Sequence, residues 1–286
     1  MADYQYASNK PDRTLINYNT VRAAELKAIH GSLVSDRPVQ NIISDFAHEK
    51  DENVRDCIDF LHALDFLERN DDRVISPLNR DVLPDLSFEA RLLHHLRQQQ
   101  PPYDHLTRIQ NVALETTEHS LTLDTLLPQV KGDLDEYGFK WNETKLRMWR
   151  ALTTQLGLVS QTESRGVILS PCRRLLYDLL DLHQQQEDTN DLFNALEWIE
   201  TNFFDVFETT TGSPRVHPAI SDVLQNMESK DVLEFRGMSD AKNEVTLPES
   251  VHHQTSRSAN VYDLESMPNT PAYQYPLTQY NQVITQ

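Results

Sequence analysis

The sequence is poor in glycine and cysteine, and this excludes several classes of protein. Its 286 residues include 7 glycines, and none lies in the pattern of a P-loop, a dinucleotide-binding turn or a hydrolase nucleophile elbow. The two cysteines, Cys57 and Cys172, stand in apolar contexts without a CxxC spacing, which favours buried free thiols over a disulfide or a metal pair. The histidines of the pairs His94–His95 and His252–His253 also lack metal-ligand spacing. We therefore expect a protein that is not an enzyme and binds no metal or cofactor.

Long apolar runs are missing as well. No stretch reaches the ~18 to 20 apolar residues that a membrane-spanning helix needs. The first residues, "MADYQYASNKPDRT", do not have the charged, apolar and small-residue regions of a signal peptide. These observations predict a protein without a membrane partner, located in the cytoplasm.

Basic residues are outnumbered by acidic ones. The chain has 44 Asp and Glu against 26 Lys and Arg, and its formal net charge is -18. Such a total opposes binding to nucleic acid, because affinity for phosphate comes from Lys and Arg. The composition also fits salt-loving archaea, whose DNA-binding proteins share the acidic surface of the whole proteome. The local distribution of charge must therefore decide between these interpretations.

Apolar residues recur at three- and four-residue steps through much of the chain, which predicts helices. Three helices run into an apolar strand, a polar turn and a second strand that reaches a proline. These stretches read "LDFLERNDDRVISP", "LGLVSQTESRGVILSP" and "KDVLEFRGMSDAKNEVTLP", and end at Pro77, Pro171 and Pro248. Three hairpins at domain-sized intervals indicate an internal repeat. The sequence thus predicts a mainly α fold with small β-hairpins, in which each proline ends a strand paired with the apolar segment before it.

Helices followed by such a hairpin resemble the winged-helix domain. In the first copy the helices would be "VRAAELKAIHGSL", "PVQNIISDFA" and "NVRDCIDFLHALDF"; in the second they would be "TLDTLLPQV", "EYGF" and "WNETKLRMWRALTTQLGL". The resemblance implies three tandem winged-helix-like domains. The expected divisions are a flexible N-terminus (1–14), domain 1 (15–82), a helical connector (83–119), domain 2 with a following helix (120–186), domain 3 (187–250) and a flexible tail (251–286).

In DNA-binding winged-helix proteins the third helix enters the major groove, so the charge on its exposed side distinguishes the functions. In the first copy, an apolar stripe over Val54, Cys57, Ile58 and Leu61 forms the core side of that helix. Its entry, "HEKDENVRD", is acidic. We expect Asp56, Asp59 and His62 to be exposed there and to contact a protein partner rather than DNA.

The second copy has the opposite local charge. The stretch "KWNETKLRMWR" contains four bases and one acid, and its apolar stripe over Leu146, Trp149 and Leu152 turns Arg147 outward. This reversal in an acidic chain is the best sign of a nucleic-acid surface. The predicted contacts to double-stranded DNA are Lys140, Asn142, Thr144, Arg147, Arg150 and, on the wing, Arg165.

Two functions stay open. The first is DNA binding through domain 2, by a transcriptional regulator or a DNA-handling subunit of a larger complex. The alternative is a non-catalytic adaptor in a defence or chromosome-organising complex, which would bind proteins through domain 1 and the tyrosine-rich tail. The third copy is nearly neutral, with Arg215 and His217 before its last helix and Lys242 on its wing, and it favours neither.

Overall fold

The computed structural model describes residues 3–46, 48–70, 73–116, 118–162, 166–208, 214–237, 243–249 and 252–279. Helices are the main regular structure, and the strands are short and antiparallel. The predicted combination of helices with small antiparallel sheets is confirmed. The elements of the first unit are α1 (Ala23–Ser32), β1 (Arg37–Pro38), α2 (Val39–Asp45), α3 (Asp51–Ala63), β2 (Leu67–Arg69) and β3 (Val74–Pro77).

The first unit has the hairpin that was expected before Pro77. Strand β3 pairs with β2, with Leu67 opposite Pro77. Strand β3 also pairs with β1, so that the sheet order is β1-β3-β2. The side chain of Asn70 stabilises the turn by accepting a hydrogen bond from the backbone N–H of Val74 at 2.9 Å. The strand β1 was not predicted, because two residues give no periodic signal.

The same order of elements recurs after a linking helix, α4 (Phe88–Arg97). The second unit consists of α5 (His105–Glu115), β4 (Ser120–Leu121), α6 (Leu123–Asp133), α7 (Glu143–Gln155), β5 (Ser160–Gln161) and β6 (Val167–Ile168). Its sheet order, β4-β6-β5, matches that of the first unit. By element order α5 corresponds to α1, so this unit begins inside the segment expected to be a connector. The predicted helix "EYGF" is only a 3-10 turn, Asp135–Tyr137, and α6 corresponds to α2.

The hairpin before Pro171 is confirmed, whereas the one before Pro248 is wrong. Strand β6 lies just before Pro171 and pairs with β5. The last part of the chain, called the third unit below, forms α8 (Arg173–Glu187), α9 (Leu192–Asn202), α10 (Pro218–Glu228), β7 (Leu233–Arg236), β8 (Val245–Leu247), β9 (Arg257–Ala259) and β10 (Val261–Leu264). Strand β7 pairs with β10 and β8 pairs with β9. Strands β7 and β8 therefore pair with residues 257–264, whereas they were expected to pair with each other.

The segment predicted to be a flexible tail is largely packed on the protein. Tyr262 is fully buried, and its hydroxyl donates to the carbonyl oxygen of Leu180 at 3.0 Å. Further along, Tyr273, Tyr275 and Leu277 are buried against the helical core. The expectation of a flexible tail is wrong for residues 252–279, because its aromatic side chains bury apolar area within the chain itself.

The N-terminal segment is also fixed, contrary to the expectation for residues 1–14. Ala7 is buried, and its backbone N–H donates to Asp65 at 2.8 Å. The hydroxyl of Tyr4 donates to the same carboxylate at 3.2 Å. Residues 3–14 thus form an N-terminal arm that packs on the first unit, and we use this name for them below.

Helix α4 joins the units through polar contacts as well as apolar packing. The ring of His94 donates from Nδ1 to the carbonyl oxygen of Asn202 at 3.0 Å, and Arg97 pairs with Asp205 at 2.7 Å.

Cys57 is buried and Cys172 is half-buried, and both are free thiols. Within the described ranges, no helix combines the length and the apolar composition needed to cross a membrane.

Candidate nucleic-acid interface

Helix α7 is held by its apolar stripe and by its N-cap. Leu146, Trp149 and Leu152 are buried, as the spacing predicted. Asn142 adopts an extended backbone conformation before the helix, and its side-chain oxygen accepts a hydrogen bond from the backbone N–H of Lys145 at 3.1 Å. Such a cap satisfies a backbone donor that has no partner inside the helix. The amide of Asn142 therefore fixes where the helix begins.

The opposite side of α7 carries the predicted DNA-contacting residues. Lys140, Asn142, Thr144 and Arg147 are exposed and lie together at the entry and first turns of the helix. Arg150 follows on the next turn and is half-buried. Arg165 lies outside the described residues. Small side chains at Thr144 and Ala151 leave the helix backbone accessible on this side. We call the surface formed by Lys140, Thr144, Arg147 and Ala151 the α7 face.

Arg147 is engaged with an acidic residue on its own helix. Its Nε and Nη2 atoms both donate to Oε1 of Glu143, at 3.0 and 2.5 Å. Both side chains remain about half exposed, at 57% and 48%. The spacing is i, i+4 with the acid first, which is the favourable orientation for such a pair. This spacing is readable in the sequence alone.

Lys145 is directed toward the helix entry instead of the α7 face. Its Nζ donates to the backbone carbonyl of Lys140 at 2.5 Å and lies 5.3 Å from the centre of the Phe139 ring. Partial burial lowers the pKa of the Lys145 ammonium. Lys145 therefore lies nearer the core than the exposed Thr144 and Arg147.

Carboxylates border the α7 face. Asp133 at the end of α6, and Asp135 and Glu136 in the 3-10 turn before α7, are exposed. Glu136 is 3.9 Å from Arg108, and both side chains are open to solvent. At that exposure the pair does little to reduce the negative potential of the turn. The cationic surface is therefore narrow, and DNA would have to approach it from the side of Thr144 and Arg147.

The predicted protein-binding surface on α3 is largely covered. Asp56 is only 8% exposed and His62 only 2%, so the expectation that both face solvent is wrong. Asp56 binds Arg13 at 2.7 Å and Thr20 at 2.8 Å. The ring of His62 donates to the carbonyl oxygen of Ser8 at 3.0 Å. The cause is the chain preceding α1, which packs on the side of α3 opposite its apolar stripe.

Asp59, the third residue of that surface, is half-buried. Its carboxylate pairs with Arg69 on β2 at 3.0 Å. Burial raises the pKa of the Asp59 carboxyl, although the neighbouring Arg69 acts in the opposite direction. The α3 surface therefore uses its acidic groups in contacts within the first unit.

A buried polar cluster around Asp65 has no counterpart in the sequence predictions. The Asp65 carboxylate accepts hydrogen bonds from Tyr4, the N–H of Ala7 and the amide of Gln99, and it pairs with Lys10 at 2.7 Å. The members of this cluster are far apart in the sequence. Tyr4 and Gln99, for example, are in contact although 95 positions separate them. No local spacing could have indicated them. The cluster fixes the N-terminal arm to the first unit.

The sequence of the third copy offers possible positive charge at Arg215, His217 and Lys242. Arg215 pairs with Glu208 at 2.8 Å. His217 is buried and caps α10, where its Nδ1 accepts from the backbone N–H of Ala219 at 3.2 Å. Lys242 lies outside the described residues. The described part of the chain also contains no group of three or more His, Cys, Asp or Glu arranged to hold a metal ion.

A polar cleft of about 570 Å³ lies between α8 and the C-terminal segment. Asp85, Asp178 and Asp181 line it, together with Arg174. Because Arg174 already pairs with Asp178 at 2.8 Å, the excess of carboxylates does not suit an anionic ligand. The predicted DNA-contacting residues lie outside this cleft.

Comparisons with protein-family models, with curated proteins and with solved structures found no match to this chain. The functional interpretation therefore depends on the geometry and charge described above.

Proposed function

We propose that this chain binds double-stranded DNA through the α7 face, as a transcriptional regulator or as a DNA-handling subunit of a larger complex. In this proposal the two units with matching element order are winged-helix-like, and α7 is the helix that enters the major groove. The function requires no cofactor.

The repeated topology supports the winged-helix interpretation. In each unit a helix, a short strand, two helices and a two-stranded hairpin follow one another, and the last strand lies between the other two. This arrangement places α3 and α7 in equivalent positions. Only α7 has a cationic exposed side, so the proposal assigns DNA contact to the second unit.

The observation that carries the proposal is the exposure of Lys140 and Arg147 beside the small residue Thr144. The chain has a net charge of -18, and the two exposed basic side chains near the start of α7 depart locally from this acidic character. Small neighbours allow a helix to approach the groove closely, while the longer cationic side chains reach phosphates or a guanine edge. Arg150 extends the same side by one turn.

The adaptor function has less support, because its proposed contacts are used within the chain. Asp56 and His62 bind the N-terminal arm and the residues that follow it, and Tyr273, Tyr275 and Leu277 are buried. A partner would have to displace these contacts before it could use them. DNA binding requires no such rearrangement at the α7 face, apart from the pair between Arg147 and Glu143.

The test is fluorescence anisotropy of the full chain with a labelled duplex of mixed sequence. We expect binding at low salt. The logarithm of the association constant plotted against the logarithm of the salt concentration should have a slope of about -3, because Lys140, Arg147 and Arg150 would release about one counterion each. Arg147→Glu should weaken binding by about tenfold or more, because it removes a phosphate contact and adds repulsion.

Arg236→Glu is the matched control. Arg236 is as exposed as Arg147, at 57%, and pairs with the exposed Glu234 and with Asp263, but it lies in the third unit. The proposal requires Arg147→Glu to weaken binding much more than Arg236→Glu does. Equal effects in the two variants, with unchanged circular dichroism, would show that the α7 face is not the DNA-binding surface.

A further inference from the structure

Arg147 has a competing partner within its own helix. Two nitrogens of its guanidinium donate to the single oxygen Oε1 of Glu143. A DNA phosphate at this Nε and Nη2 edge would compete with Glu143 for the same donors, and a phosphate at the Nη1 and Nη2 edge would share the cation with the carboxylate. Glu143 therefore reduces the positive charge that Arg147 offers at either edge.

Two neighbouring polar groups are already engaged within the chain. The Asn142 side-chain oxygen is used in the N-cap, and Lys145 reaches back to the carbonyl of Lys140. Arg150 is half-buried. The state of the pair between Glu143 and Arg147 thus has a direct effect on how much positive charge the α7 face offers.

The pair is weak enough for DNA to break. Exposed i, i+4 ion pairs shift an equilibrium by only about twofold. A phosphate in the field of a duplex is a stronger acceptor than one solvated carboxylate. Glu143 therefore reduces the affinity without abolishing it, and its own charge stays near the phosphate backbone after Arg147 has moved.

We propose that Glu143 limits the DNA affinity of the α7 face by holding Arg147 in an intrahelical pair. This inference rests on the proposed DNA binding. It assigns to Glu143 an affinity-setting function, in which DNA phosphate replaces the Glu143 carboxylate as the acceptor for Arg147.

The experiment is a double-mutant cycle on the full chain, with a mixed-sequence duplex at about 50 mM salt. Glu143→Gln keeps the length of the side chain and removes its charge. We expect it to tighten binding about fourfold, with about twofold from reduced repulsion and about twofold from the release of Arg147. In an Arg147→Ala background the gain should fall to about twofold, because only the reduced repulsion remains.

The matched control is Glu234→Gln, which removes one of the two acidic partners of the exposed Arg236, the other being Asp263 at 3.1 Å. It should change affinity by less than about 1.5-fold, since a distant surface charge is screened. Equal gains from Glu143→Gln with and without Arg147, or no gain, would overturn the inference while leaving DNA binding intact. Failure of every variant and of the unmodified protein to bind the duplex would instead refute the DNA-binding proposal, and the inference with it.

Discussion

The ammonium nitrogen of Lys10 lies 2.7 Å from a carboxylate oxygen of Asp65, whose side chain is fully buried. Lys10 also donates to the side-chain oxygen of Gln99 at 2.8 Å. A buried carboxylate is tolerated only when it is paired and hydrogen-bonded. The pair therefore joins the N-terminal arm to the end of α3.

Lys10→Met should destabilise the protein, because it leaves Asp65 with hydrogen-bond donors but no cation. We expect the free energy of unfolding to fall by about 3 kcal/mol, in the range seen when one partner of a buried pair is removed. Urea denaturation followed by circular dichroism measures this. Arg22→Met is the control, since Arg22 is exposed and 3.8 Å from Glu25. A loss at Lys10 no greater than at Arg22 would contradict the structural role of the arm.

Gly157→Ala should also be destabilising. The backbone at Gly157 has a φ of 77°, and an added Cβ would lie 2.5 Å from Sγ of Cys172. The left-handed conformation and the overpacking together should cost about 2–4 kcal/mol. Gly31, by contrast, lies in α1, and the Cβ added in Gly31→Ala would have no heavy atom within 4 Å. Chemical denaturation should show a gain of about 0.5 kcal/mol there, and equal behaviour of the two variants would refute the predicted clash.

The C-terminal segment should contribute to stability. Leu277 is buried, so Leu277→Ala should lower the free energy of unfolding by about 2–3 kcal/mol through lost burial and a residual cavity. Ser266→Ala, at an exposed position of the same segment, should change it by less than about 0.5 kcal/mol. Denaturant midpoints measure both. An unaffected Leu277→Ala variant would support the original expectation of a flexible tail.

Stability should fall on mild acidification, and His105 should contribute to this fall. Its Nε2 accepts from the backbone N–H of Ile16 at 3.0 Å, and its Nδ1 donates to the carbonyl of Pro102 at 2.8 Å. Burial lowers the pKa of His105 from 6.5 to about 4. The unfolded chain therefore binds the proton first, and the stabilisation present above pH 6.5 is lost as the pH falls toward 4.

At pH 5 this loss should amount to roughly 2 kcal/mol for a group shifted that far. The measurement compares unfolding free energies at pH 7.5 and pH 5 for the unmodified protein and for His105→Gln. The variant should be less stable at pH 7.5 and should depend less on pH. An identical pH dependence in the two proteins would show that His105 is not the responsible group.

Periodicity predicted the helices well but not what covers them. The stripes on α3 and α7 are buried as expected, because spacing at three and four residues identifies an apolar side whatever packs on it. The same periodicity predicted that the side chains of Asp56 and His62 are exposed to solvent. They are buried because residues from the N-terminal arm reach them across more than 40 positions, as Arg13 does. Local patterns carry no information on such contacts.

The candidate site was easier to predict than the sheets. Thr144, Arg147 and Ala151 lie on one side of α7, so their shared exposure follows from helix geometry alone. The short strands β1 and β4, and the pairing of residues 257–264 with β7 and β8, depend on partners distant in sequence. The prediction of the third hairpin was wrong for this reason. Strands β7 and β8 pair with residues 257–264, which were expected to belong to a flexible tail, and not with each other.

The strand arrangement of residues 257–264 has a consequence for biosynthesis. Strands β7 and β8 have their partners in β10 and β9, on either side of Asn260. During translation the first two units can close while the rest of the chain is still being made, whereas the third must wait until Leu264 has left the ribosomal tunnel. Ribosomes that stall before this point would carry nascent chains with exposed β7 and β8 edges, and these chains would be targets for chaperones and for aggregation.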